Sequence, residues 1–192
     1  ALLATEVNPY ALSPWKNQGQ GTRVFLSESG PCLDYDTHYL PRYNAYGEST
    51  DDKAVAEHAI KTSGILYAVS PQTQIDCYGN GDLPTDPNRY DAVSSSKSIQ
   101  LWGDYNRLEK DMDDFVYNYD VPIFQAAGNF RTDSFVRSPG NAYNVITVGN
   151  YETTQGVPTW FWKSNWENGE TGVAKPELSG PGTNLTLRGI AD

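Results

Sequence analysis

Three side chains in this 192-residue chain could together perform acyl transfer: Glu28, His58 and Asn129. An acid can fix the tautomer of an imidazole and stabilise its cation. The imidazole can take a proton from a nucleophile, and a neutral amide can donate to the oxyanion that forms. Each residue also fits a plainer role. Acids at strand ends are commonly solvated, a helix histidine is commonly a half-buried packing residue, and Gly-Asn commonly forms a turn.

The elements around these residues decide whether they can meet. "TRVFL" (22–26) reads as a strand and delivers Glu28 at its carboxyl end. "DDKAVAEHAIKTSGIL" (51–66) reads as a helix that carries His58, capped by Asp51 or Asp52, with Gly64 near its end. "TQIDCY" (73–78) and "YDAVSSS" (90–96) read as further strands. "GDYNRLEKDMDDFVYNY" (103–119) has Tyr105, Leu108, Met112, Phe115 and Val116 at helical spacing. It runs into "VPIFQAA" (121–127), a strand with Asn129 just after its end, and "NVITVGN" (144–150) is another apolar strand. Strands that alternate with helices and read as unbroken apolar runs predict an α/β fold, with a largely parallel sheet covered by helices on both faces. Functional residues in such sheets gather at the carboxyl ends of the strands, where Glu28 and Asn129 fall.

Composition narrows the function classes. The chain is 38% hydrophobic and 20% charged, as expected of one globular domain over residues 1–192. Its net charge of −10 and lack of a Lys/Arg cluster argue against nucleic acid as a partner. No run of 18 apolar residues predicts a membrane span. No glycine-rich phosphate loop follows a strand, since "GQG" (19–21) precedes one. Cys32 and Cys77 lack zinc spacing and fit either one disulfide or two buried thiols. "NLT" (184–186) has the form of a glycosylation sequon.

Read in order, the segments resemble the subtilisin-like serine proteases, the subtilases. "VFLSESG" (24–30) is similar to the family's Val-Ala-Val-Ile-Asp-Thr-Gly, with Glu28 on the catalytic Asp. "HAIKTSG" (58–64) is similar to His-Gly-Thr-His-Val-Ala-Gly, with His58 on the catalytic His. "YAVSPQTQI" resembles the Val-Ala-Pro run that follows. "DAVSSSKS" (91–98) resembles the substrate-binding edge strand, with Ser96, Lys97 and Ser98 on its Ser-Leu-Gly. "AAGN" (126–129) matches the oxyanion segment, with Asn129 on the oxyanion Asn. "SPGNAYNVITVGN" (138–150) and "SNW…KPELSGPG" (164–182) resemble the family's later segments.

The resemblance implies a subtilisin-like three-layer fold and endopeptidase activity, with peptide or protein substrates and a secreted location. It assigns His58 as general base, Glu28 as its orienting carboxylate and Asn129 as oxyanion donor. Substrate would lie as an added strand along residues 94–98, which include Ser96, Lys97 and Ser98. Ala126, Ala127 and Gly128 would form the other wall of the pocket for P1, the residue before the scissile bond. Their small size implies room for a large P1 side chain, and Lys97 implies a preference for acidic or polar residues further upstream.

The chain departs from the family pattern in four places. Residues 1–192 contain no Gly-Thr-Ser-x-Ala-Ala-Pro, and Asp192 stands just before that motif is due. The serine is therefore expected on a separate or missing C-terminal segment. Glu28 adds a methylene where the family has Asp, and a misplacement of about 1 Å can cost on the order of 100-fold in rate. Ala59, Ile60 and Lys61 replace the residues after the family's histidine. The insertion that carries a structural calcium loop in many subtilases is nearly absent in "SGILYAVSP", so no metal or other cofactor is expected. The alternative from another class is a catalytically degenerate subtilase-like pseudoprotease that acts as a binding or regulatory scaffold.

Overall fold

A computed structural model of the chain describes residues 19–28, 32, 53–78, 82–99, 105–129, 134–154, 156–167 and 172–183. The helix caps at Asp51 and Asp52, the arm before residue 19, most of the loop at 31–50 and the sequon lie outside them. The chain divides into two compact units, residues 1–91 with 185–192 and residues 92–184.

In the first unit, β1 (Arg23–Ser27) and β2 (Gln74–Tyr78) pair in parallel, with Leu26 opposite Cys77. A parallel pair needs a crossover, and α1 (Lys53–Val69) lies between the two strands in the chain. Phe25 and Leu26 are buried, and full burial of a side chain such as Leu26 is worth about 1.5–3 kcal/mol. The expected helix was 51–66. It runs on to Val69, so Gly64 sits inside it rather than near its end. Ser70 N–H closes the last turn on the Leu66 carbonyl at 2.8 Å. Cys32 and Cys77 form a disulfide, which decides between the two readings of the cysteines. Closing a loop of sequence separation 45 is worth about 4 kcal/mol on a chain-entropy model.

In the second unit, β3 (Ala92–Ser95), β4 (Ile123–Ala126) and β5 (Ile146–Thr154) are successive parallel neighbours. β6 (Val157–Trp160) returns antiparallel to β5, and β7 (Leu178–Pro181) pairs with β5 in parallel. Val148 pairs with both β4 and β7, and Tyr151 with both β6 and β7. β6 therefore extends the edge of β5 that β4 begins. Neither β6 nor β7 shows a periodic apolar pattern, and their residues are mostly exposed. The fold is thus α/β, with a largely parallel sheet and helices in the crossovers.

α2 (Arg107–Tyr119) links β3 to β4. Asn106 caps it, with its side chain accepting from Leu108 N–H while Glu109 accepts from Asn106 N–H at 2.6 Å. The buried stripe differs from the apolar one read from spacing. Met112 and Phe115 are buried as expected, but Leu108 is exposed, and Glu109 and Asp113 are buried. Both acids are held by polar partners: Asp113 accepts from Tyr105 Oη at 2.7 Å and from the N–H groups of Tyr143 and Asn144.

Candidate active site

Glu28 follows β1 and is buried. Its Oε2 lies 3.0 Å from His58 Nδ1, so the longer carboxylate reaches the imidazole across this gap. Its Oε1 is buried with no hydrogen-bond partner among the described residues. His58 sits at the edge of the buried face of α1, beside Ala59, Ile60 and Ser63, and its own side chain is 56% exposed. An imidazole held through Nδ1 presents Nε2 away from the carboxylate, which is the arrangement a general base requires. The hydrogen bond that His58 donates to Glu28 raises the His58 pKa, opposed by partial burial and by the charge of Lys61. Lys61 thus acts on the site through its field, where the family pattern has a second polar side chain.

The other candidate residues belong to the second unit. Beyond β3 the chain runs on through Ser96, Lys97 and Ser98. Gln125, fully buried in β4, donates from Nε2 to the Lys97 carbonyl at 2.8 Å and to the Ala126 carbonyl at 3.2 Å. Ser98 Oγ lies 3.4 Å from the Ala126 carbonyl. One buried amide thus ties the 96–98 run to the start of the 126–129 segment.

Ala127 and Gly128 are fixed through their backbone. Ala127 N–H donates to the Val148 carbonyl at 3.0 Å, Arg137 N–H to the Ala127 carbonyl at 3.1 Å, and Asn165 N–H to the Gly128 carbonyl at 3.0 Å. Gly128 has φ +106°, a conformation that strongly favours glycine. A Cβ there would lie 3.0 Å from Asn165 Oδ1 and 3.1 Å from Arg137 Cγ. Asn129 follows this clamped turn and is exposed. A rigid turn that presents an exposed amide suits an oxyanion donor, since a preorganised donor needs no rearrangement during reaction.

The Subtilase family model matches residues 50–191, which include His58 and Asn129 and exclude Glu28. The chain belongs to the subtilase family. No curated protein matches the chain by sequence. Among solved structures, the chain is similar to fervidolysin from Fervidobacterium pennivorans, a keratinolytic enzyme related to subtilisin. The TM-score is 0.56 at 16% identity, over 77% of this chain and 27% of fervidolysin. It is also similar to a mutant of the protease domain of PatA, with a TM-score of 0.54 at 16% identity, over 79% of this chain and 65% of that one. The chain thus spans under two thirds of each structure's length, and likeness at this identity shows the fold.

The structure brings Glu28 to His58 in one unit, and the 96–98 run to Ala126, which leads into Asn129, in the other. Sequence reading missed Gln125, Arg137 and Asn165. Gln125 is a polar residue inside an apolar strand, which is a usable signal. Arg137 and Asn165 carry no such mark in the sequence. Among the described residues, no group of three or more His, Cys, Asp or Glu could hold a metal ion, and no helix is long and apolar enough to cross a membrane.

Proposed function

We propose that the protein is a serine endopeptidase of the subtilase type. The Glu28–His58 hydrogen bond carries this reading. It supplies an oriented imidazole with a raised pKa on a half-exposed side chain, in a chain whose family does this chemistry. His58 acts as general base and then general acid, and Glu28 holds its tautomer and stabilises the imidazolium. Asn129 donates to the oxyanion. The peptide lies as an added strand between Ser96–Ser98 and Ala126–Gly128, held by main-chain hydrogen bonds. Residues 1–192 form the N-terminal and middle part of one catalytic domain, and the nucleophilic serine comes from a segment outside them. The site works without a metal or other cofactor, and the protein acts outside the cell, a setting in which the Cys32–Cys77 disulfide persists.

A second reading is favoured by Glu28 itself. Its unsatisfied Oε1 marks a less complete carboxylate site than the family's Asp implies, as in a pseudoprotease that binds peptides without cutting them. Labelling the native protein with a fluorophosphonate probe separates the two. A labelled serine on a peptide outside residues 1–192 supports the enzyme. Folded protein that takes no label supports the scaffold.

A further inference from the structure

Gln125 is the one polar side chain of β4 and is fully buried. Its two ends fare differently. Nε2 donates to the Lys97 carbonyl at 2.8 Å and to the Ala126 carbonyl at 3.2 Å, and two acceptors on one side fix which way the amide faces. Oε1 is buried with no hydrogen-bond partner among the described residues. Ser95, its neighbour in register on β3, is buried too, and its Oγ also lacks a partner among them. Thr147, its neighbour on β5, is equally buried but satisfied, since its Oγ1 donates to the Gly140 carbonyl at 2.5 Å. A buried polar atom left unpaired costs about 1–3 kcal/mol. An apolar side chain of the same length would fill this place without that cost. Stability therefore does not explain Gln125.

We infer that Gln125 is a positioning residue: it holds the 96–98 run at a fixed distance from Ala126 and so sets the width of the substrate groove. The inference rests on the groove in the function proposed above and does not need the serine. The ladder between β3 and β4 ends at Ser95 and Gln125, so beyond that point it no longer spaces the two walls. Gln125 supplies the first link past the ladder, at Lys97. Ser98 Oγ, 3.4 Å from the Ala126 carbonyl, is a longer one, and Ile99 N–H anchors the far end on the Ser138 carbonyl at 3.0 Å. Lys97 is exposed, so without Gln125 its carbonyl would turn to water. The run would then shift at little cost to the fold, because water replaces the lost bond. A peptide added as a strand must meet main-chain groups at hydrogen-bonding distance, so such a shift weakens its binding directly.

The test is equilibrium binding of N-acetyl-Ala-Ala-Ala-Leu to the full-length native protein by calorimetry, read beside the urea midpoint. Gln125→Met keeps the length of the side chain and removes the donor. It should weaken binding by about 10-fold or more and leave the urea midpoint unchanged or raised. Thr147→Val, at the neighbouring buried position, should do the opposite: the midpoint falls and binding stays as in the parent. Binding by Gln125→Met equal to the parent's would overturn the inference. So would a midpoint that falls together with binding, failure of that variant to fold, or no binding by the parent. Weaker binding by Gln125→Met, with no fluorophosphonate labelling of the parent, would sink the enzyme and leave the inference standing. Labelling of the parent, with equal binding by the variant, would do the reverse.

Discussion

At the scale of single residues, the pH behaviour of His58 is the sharpest consequence. In the proposed mechanism the neutral imidazole is the working base, so activity should rise as pH passes its folded-state pKa. Glu28 raises that pKa above the ordinary value of about 6.5, which places the acid limb of the rate profile above it. Glu28→Gln removes the negative partner but leaves burial and Lys61, both of which lower the pKa. The acid limb of kcat/KM should then move to lower pH while the maximal rate falls. An unmoved limb would show that Glu28 does not act on His58. The same bond stabilises the fold fully below about pH 6.5 and is lost as pH rises through the raised pKa. Urea midpoints of the Gln variant should therefore fall short of the parent more at pH 5 than at pH 9. Asn129→Ala should lower kcat by about 100- to 1000-fold with little change in KM, as measured by initial rates. An equal loss in KM alone would make Asn129 a substrate-binding residue.

At the scale of elements, the sequence is most legible where one chemistry serves one purpose. β1, β4 and the start of β5 carry short apolar runs, and α2 shows helical periodicity. Apolar spacing misplaces the buried face of α2 because Glu109 and Asp113 are buried for their hydrogen bonds. Burial raises the Glu109 pKa, yet its bond to Asn106 N–H keeps it in the capping box. Asn106→Ala should cost about 1 kcal/mol in chemical denaturation. A loss under a few tenths would mean that the cap is redundant with the contacts of Asp113. β6 and β7 escape a periodic reading because pairing with β5, not burial of a face, holds them. The segment "KPEL" gains a physical reason here. Lys175, buried, donates to the Val145 carbonyl at 2.7 Å, and Glu177 accepts from Thr147 N–H at 2.7 Å, so the two side chains dock β7 onto β5.

For the molecule as a whole, the disulfide couples the site to stability. Cys77 lies in β2, opposite Leu26 of β1, two residues before Glu28. Reduction, or Cys77→Ser, should destabilise the fold by about 4 kcal/mol or less and lower the melting temperature measured by calorimetry. A melting temperature that dithiothreitol leaves unchanged would mean that the bond is strained or absent in solution.

The sequence by itself determined the family, the alternation of strands and helices, and the identity of an acid and an amide just past strand ends and of an imidazole on a helix. These follow from local patterns, since periodicity and turn chemistry act within a few residues. Only the tertiary structure decided that Glu28 reaches His58 at 3.0 Å, that the two cysteines join, and that Arg137 and Asn165 pack against Gly128. Those outcomes depend on contacts across 30 or 45 residues of chain, or on which side of a glycine a distant side chain comes to rest. Distance in sequence carries no trace of them. They are set by the register of parallel strands and by the close packing that register enforces.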